Sequence, residues 1–251
     1  MRTNRLPLAA SRDGSRRPGW RGACLAASLV VSCAASRPPP ALGTSALTGT
    51  LRLVPHEGVT LPGRADSYGD RALRDAELVD YSSPGFAVVS VAGLESPRGT
   101  VRVTLRSTRF ASRFEPRYAA VGVGGEVAIR NGDDQPRALS CPGAGVLTSV
   151  APGAEVTVAA ARSGELRCFA LDRAEPHGEA AEATVYVAPG PYTVVDSDGG
   201  FVLDGLGTPP AGASAPATVV VVWHPRFPPL ERSVALVPGS SERLDLELRV
   251  R

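Results

Sequence analysis

Apolar and polar positions alternate over short distances along this chain. Runs of four to eight residues rich in Val, Leu and Ala recur between Gly, Pro, Asp and Ser, and none sustains the 3.6-residue period of an amphipathic helix. The pattern predicts strands over 47–54, 86–93, 100–106, 118–122, 126–130, 146–150, 155–161, 164–170, 183–188, 191–195, 200–204, 217–224, 231–237 and 243–250. The one helical candidate is 70–80, with Leu73, Ala76 and Leu78 turned inward. Such a series predicts an all-β chain of two sandwiches. The stretch 114–139 stands out within it, as a strand, a glycine turn and a second strand that ends at a polar corner.

Composition narrows the class. The 251 residues suffice for one large or two small cores, and the 27 Gly and 23 Pro fall between valine-rich runs, as turn punctuation does. All basic side chains are Arg, with a single Ile (Ile129) and a single Gln (Gln135). That skew reflects composition, so arginine alone does not indicate a nucleic-acid partner.

The amino terminus reads as a leader. Residues 1–22 carry six Arg and one Asp, and 23–32 form an apolar run that ends at Cys33. Ten residues are too few to cross a bilayer. Val30-Val31-Ser32-Cys33 resembles the bacterial lipobox, which implies lipidation of Cys33; ordinary secretory cleavage near Ala34 or Ala35 is the alternative. Segment 1–33 is therefore a signal peptide with a lipobox and 34–45 a Pro-rich tether. The expected location is the periplasm or outer membrane as a lipoprotein, or the medium as a secreted protein. Without the leader the net charge is −3, which removes the support for nucleic acid. Contact with a membrane is expected only through the N-terminal lipid.

Export gives the cysteines their meaning. Cys24 and Cys33 lie in the leader, which leaves Cys141 and Cys168, an even pair in an oxidising compartment. A disulfide is the default reading, with free thiols or a metal site as the alternatives.

Several motifs follow in order. Phe114-Glu115-Pro116 with GVGGEVAIRNGDD, then Ala151-Pro152-Gly153-Ala154 and its strand, Gly164-Glu165-Leu166-Arg167-Cys168, and the strand from Ala183 are similar to cupredoxin-like domains, the Greek-key copper sandwiches. The resemblance implies such a domain over 100–188. Further on, Tyr192-Thr193-Val194-Val195-Asp196-Ser197-Asp198-Gly199-Gly200-Phe201 resembles the hairpin of carboxypeptidase regulatory-like, transthyretin-type domains, and Val219 to Pro225 resembles the strand that follows it. This implies a second, smaller sandwich over 189–251. The β segment 46–99 either stands beside it or supplies its opening strands, in which case the cupredoxin-like unit is inserted into it. The order of units is similar to exported bacterial proteins described as methylamine-utilisation-like, and implies no reaction.

The copper site that the first resemblance implies is degenerate. Type 1 copper needs two imidazoles and a thiolate, usually with a weak axial Met. The spacing from Asn131 sets Arg137 at the first His position, Cys168 at the thiolate and Leu171 at the second His; the only Met is Met1. The degenerate corner is thus Arg137, Cys168 and Leu171. The resemblance further implies that Cys141 and Cys168 meet at this corner and join strands of opposite sheets. An alternative metal set, suited to copper(I), is Cys141, Cys168 and His177, with Asp133 or Asp134 assisting.

Other signals are weaker. His224 ends a strand and Trp223 beside it packs; His56 follows Pro55 in a loop. Asp196-Ser197-Asp198-Gly199 reads as a hairpin turn and not as a calcium loop, which would require a Glu at its twelfth position. Arg106, Arg109, Arg113, Arg117 and Arg130 form a candidate basic patch. No acid, base and nucleophile converge in any motif, so an enzyme is not expected. The expected function is a non-catalytic extracytoplasmic module that carries no cofactor and binds a protein or glycan of the cell envelope through loops at one end of a sandwich. The alternative is a periplasmic metal-handling or redox protein.

Overall fold

The computed structural model describes residues 44–55, 80–107, 111–171, 180–207 and 218–249. The leader with Cys33, the tether up to residue 43, the helical candidate up to residue 79, Arg109, His56 and His177 lie outside the described residues.

The described chain is nearly all strand. In order it forms β1 (Thr44–Val54), β2 (Val88–Ala92), β3 (Thr100–Ser107), β4 (Ser112–Glu115), β5 (Tyr118–Gly122) and β6 (Glu126–Asn131). Next come β7 (Arg137–Cys141), β8 (Val146–Val150), β9 (Glu155–Ala159), β10 (Gly164–Leu171) and β11 (Ala181–Ala188). The last are β12 (Tyr192–Val194), β13 (Gly200–Gly207), β14 (Thr218–His224), β15 (Phe227–Val234) and β16 (Ser241–Arg249).

Two sandwiches result. The first faces sheet β4-β3-β6-β9 against sheet β5-β11-β10-β7-β8. Alternation sends Val103 and Leu105 of β3, Val127 and Ile129 of β6, Leu166 and Ala170 of β10, and Ala183, Val185 and Val187 of β11 into one core. The second faces sheet β13-β1-β16 against sheet β12-β2-β14-β15. Its core takes Leu47 and Leu51 from β1, Val89 and Val91 from β2, Val220 and Val222 from β14, and Leu244, Leu246 and Leu248 from β16. Strand β1 runs antiparallel to β13 and parallel to β16, while β2 lies between β12 and β14. Segment 46–99 thus supplies two strands of the second sandwich, and the first sandwich is inserted between β2 and β12.

The sandwiches pack through sheets buried on both faces. On β11 the residues between the core positions, Tyr186 and Ala188, turn outward onto Val88 and Trp223 of the second sandwich. Tyr186 stacks on Trp223 with ring centroids 5.0 Å apart, and Phe86 packs edge-on against the same indole. Stacked and edge-on rings of this kind add to the gain from burial alone. The Trp223 Nε1–H donates to Glu165 Oε1 at 3.1 Å, and buried Ser90 donates to Val221 O at 3.2 Å, so the polar atoms of this layer find partners. The chain recrosses at Gly190, where a Cβ would sit 1.9 Å from Val91 O, so only glycine fits.

Three elements depart from expectation. Strands β4 and β7 are short and carry no β-branched residue, so neither presents a strand signal. Strand β15 begins at Phe227 and not at 231, running through Pro228 and Pro229. It lies at the edge of its sheet, and the two prolines fall at an irregularity of the ladder between the pairs Val222–Leu230 and His224–Phe227, a place that tolerates a missing N–H.

Candidate functional site

The corner after β6 is built by a polar turn. The Asn131 side chain accepts from the Asp133 N–H at 3.0 Å and donates to Gln135 O at 2.8 Å and Val150 O at 2.9 Å. These bonds hold the turn in an Asx geometry and aim the next strand. On β7, Arg137, Leu139 and Cys141 are spaced by two and therefore share the inward face. Arg137 is only 7% exposed. Its Nε–H donates to Asp133 Oδ2 at 2.8 Å and its Nη2 to Ser107 Oγ at 2.8 Å. Ser107 in turn donates its hydroxyl to Asp133 Oδ2 at 2.6 Å, pairs with Ser112 Oγ at 2.6 Å, and bonds Asp133 Oδ1 through its own N–H. One hydroxyl hydrogen and two lone pairs account for all of these contacts at Ser107 Oγ.

Beneath the guanidinium lies a void of about 10 Å³, lined by Leu105, Phe114, Ile129, Leu139 and Val150 among others. That is room for at most one water.

The cysteines are bonded, though not at this corner. Cys141 and Cys168 are joined with their Cα atoms 4.3 Å apart, and both are fully buried. The register that pairs Ser140 with Phe169 and Leu139 with Ala170 continues to set Cys141 opposite Cys168 on neighbouring strands of one sheet. The expected link between opposite sheets is therefore corrected to a cross-strand bridge within a sheet. Its distance from the corner is a second correction. Arg137 begins β7 and Cys141 ends it, about 13 Å apart at the rise of a strand, so Arg137 and Cys168 do not converge. The backbone of Leu171 pairs with Ala138.

These residues do not suit type 1 copper. A buried guanidinium held by Asp133 and Ser107 stands at the position that the sequence resemblance gives to the first His, and Cys168, given to the thiolate, is consumed by the bridge. Among the described residues, no three His, Cys, Asp or Glu side chains gather where they could hold a metal ion. The alternative set Cys141, Cys168 and His177 has both sulfurs bonded to each other, and its imidazole lies outside the described residues.

The remaining motifs are structural. Arg226 N–H donates to His224 Nδ1 at 3.0 Å, which leaves the ring proton on Nε2, 3.0 Å from Pro84 O. Burial pushes this imidazole below its ordinary pKa, opposed by the bond to Pro84 and assisted by nearby Arg226. Gly199 closes the Asp196–Gly200 turn with φ +87°. The candidate basic patch is interleaved with acid, since Arg106 and Arg113 both pair with Glu115 at 3.0 and 2.8 Å.

A surface groove was not foreseen. It lies where the 93–99 crossing meets β12 and β13, has a volume of about 570 Å³, and is lined by Glu95, Ser96, Arg98, Tyr192, Thr193 and Asp204 among others. Ser96 Oγ fastens the crossing to Gly190 O at 3.2 Å. Burial raises the Tyr192 phenol, which donates to Ala120 O at 3.2 Å. In sequence these residues are one loop and parts of two strands, and the fold brings them together where the loop that leaves β2 passes β12 and β13 of the second sandwich.

No protein-family profile matches the chain, and no curated protein matches it. Among solved structures, one similar chain is a mutant of amicyanin in its Cu(I) state. It is 18% identical over 39% of this chain and 97% of its own, with a TM-score of 0.27.

Proposed function

We propose that this chain is an exported, non-catalytic β-sandwich module that binds a protein or glycan of the cell envelope. It carries no cofactor and is held at the membrane by a lipid on Cys33. The groove carries this reading. An opening of about 570 Å³ lined by Glu95, Arg98, Asp204 and the ring of Tyr192 offers both signs of charge beside an aromatic side chain. It rests on two sandwiches locked by an aromatic layer, so its shape is held before any ligand arrives. The metal-handling reading has less support, because the residues that would carry it are tied in an ion pair and a disulfide.

The groove can be tested by charge reversal on exposed side chains. Immobilised protein should retain a component from an envelope glycan panel or an envelope protein extract, and Glu95→Lys with Arg98→Glu should weaken that retention at least tenfold while leaving the melt unchanged. Retention unaffected by both reversals would exclude the groove.

A further inference from the structure

Strand β8 forms an outer edge of the five-stranded sheet, and its three central residues, Leu147, Thr148 and Ser149, are exposed. Leu147 is 81% exposed. Exposed edges are normally blunted by charge, proline or shortness. Four of the other edges show these devices. Strand β16 presents Arg243, Asp245, Glu247 and Arg249, β15 carries Pro228 and Pro229, β4 carries Arg113 and Glu115, and β12 has three residues. Strand β8 has none, and no charged residue occurs anywhere between Arg137 and Glu155.

The register shows which backbone groups this edge offers. A Cα separation of 4.3 Å marks Cys141 and Cys168 as a pair without mutual hydrogen bonds, so the Cys141 N–H and C=O point toward β8. By alternation Val146, Thr148 and Val150 bond back to β7, while Leu147 and Ser149 turn their N–H and C=O groups away from the sheet.

We propose that two copies of this chain associate antiparallel through β8, on a twofold axis at Thr148. In that register Leu147 faces the partner's Ser149 and Ser149 faces the partner's Leu147, so the outward groups of each strand meet their complements in four hydrogen bonds. Thr148 meets its own copy, a favourable cross-strand pair. A second copy is the occupant because the edge is complementary to itself and brings no like charges together. The row Leu147, Ser140 and Phe169 on the outer face, set by successive pairings, continues across the axis as a mildly apolar strip.

Sedimentation of the protein purified after export should show a concentration-dependent dimer. The double variant Leu147→Lys with Ser149→Lys sets like charges opposite each other and should raise the dimer dissociation constant roughly tenfold or more with the fold intact by circular dichroism. Leu147→Lys with Ser149→Glu sets opposite charges across the same axis and should restore association. Thr148→Cys should form an intermolecular disulfide under oxidation. A wild-type protein that stays monomeric up to millimolar concentration, or a dimer unaffected by the double lysine variant, would overturn the proposal.

Discussion

The two ends of β7 lie on the same inward face, four residues apart, and are secured in opposite ways. At Arg137 a charge is buried and neutralised by Asp133 and Ser107, whereas at Cys141 a covalent bond holds two neighbouring strands. The polar end depends on every member being present, because a buried charge without its partner is far costlier than the pair is stabilising. The covalent end acts largely by restricting the unfolded chain.

The largest effect should come from splitting the polar end. Asp133→Ala removes the carboxylate that neutralises buried Arg137 and should lower unfolding free energy by about 3–5 kcal/mol in urea titration. Removing both charges together, Asp133→Leu with Arg137→Met, should recover most of that loss. Were the double variant as unstable as Asp133→Ala, the contrast between the two ends would break.

Next comes the covalent end. Replacing Cys141 and Cys168 by Ala opens a loop with a sequence separation of 27 and should cost about 3.5 kcal/mol on the chain-entropy view. The loss should be similar when the wild-type protein is unfolded in reductant.

A smaller effect is expected far from β7, at His224. Its folded pKa lies below the ordinary value of 6.5, so above 6.5 its contribution is fully present. As pH falls below that value the unfolded chain takes up the proton first, and stability declines until the folded imidazole is also protonated. His224→Gln should flatten this part of the stability profile. A slope that survives the substitution would place the acid-sensitive group elsewhere.

Much of the fold was legible in the chain. Strands such as β1, β6 and β11 declare themselves by alternation and β-branched residues, and the all-β class follows from their spacing. Strand β7 was not legible, since Arg137-Ala138-Leu139-Ser140-Cys141 carries no β signal, and with it went the register that sets the disulfide within one sheet. The Arg137 position could be counted from Asn131, but its partner could not, because Asp133 and Ser107 meet only through the turn and the end of β3. The groove was invisible for a different reason. It belongs to no single segment, but to the loop that leaves β2 and to β12 and β13, which lie in different sheets of the second sandwich.

The central claim is that the residues at the positions a copper pattern would assign to ligands are committed elsewhere, Arg137 to an ion pair with Asp133 and Cys168 to a disulfide with Cys141. Alkylation of the purified protein in denaturant, without reductant, followed by peptide mass spectrometry and metal analysis, tests it most directly. The account predicts that Cys141 and Cys168 remain unmodified and linked, and that added copper is not retained. Two alkylated cysteines together with one equivalent of retained copper would contradict it.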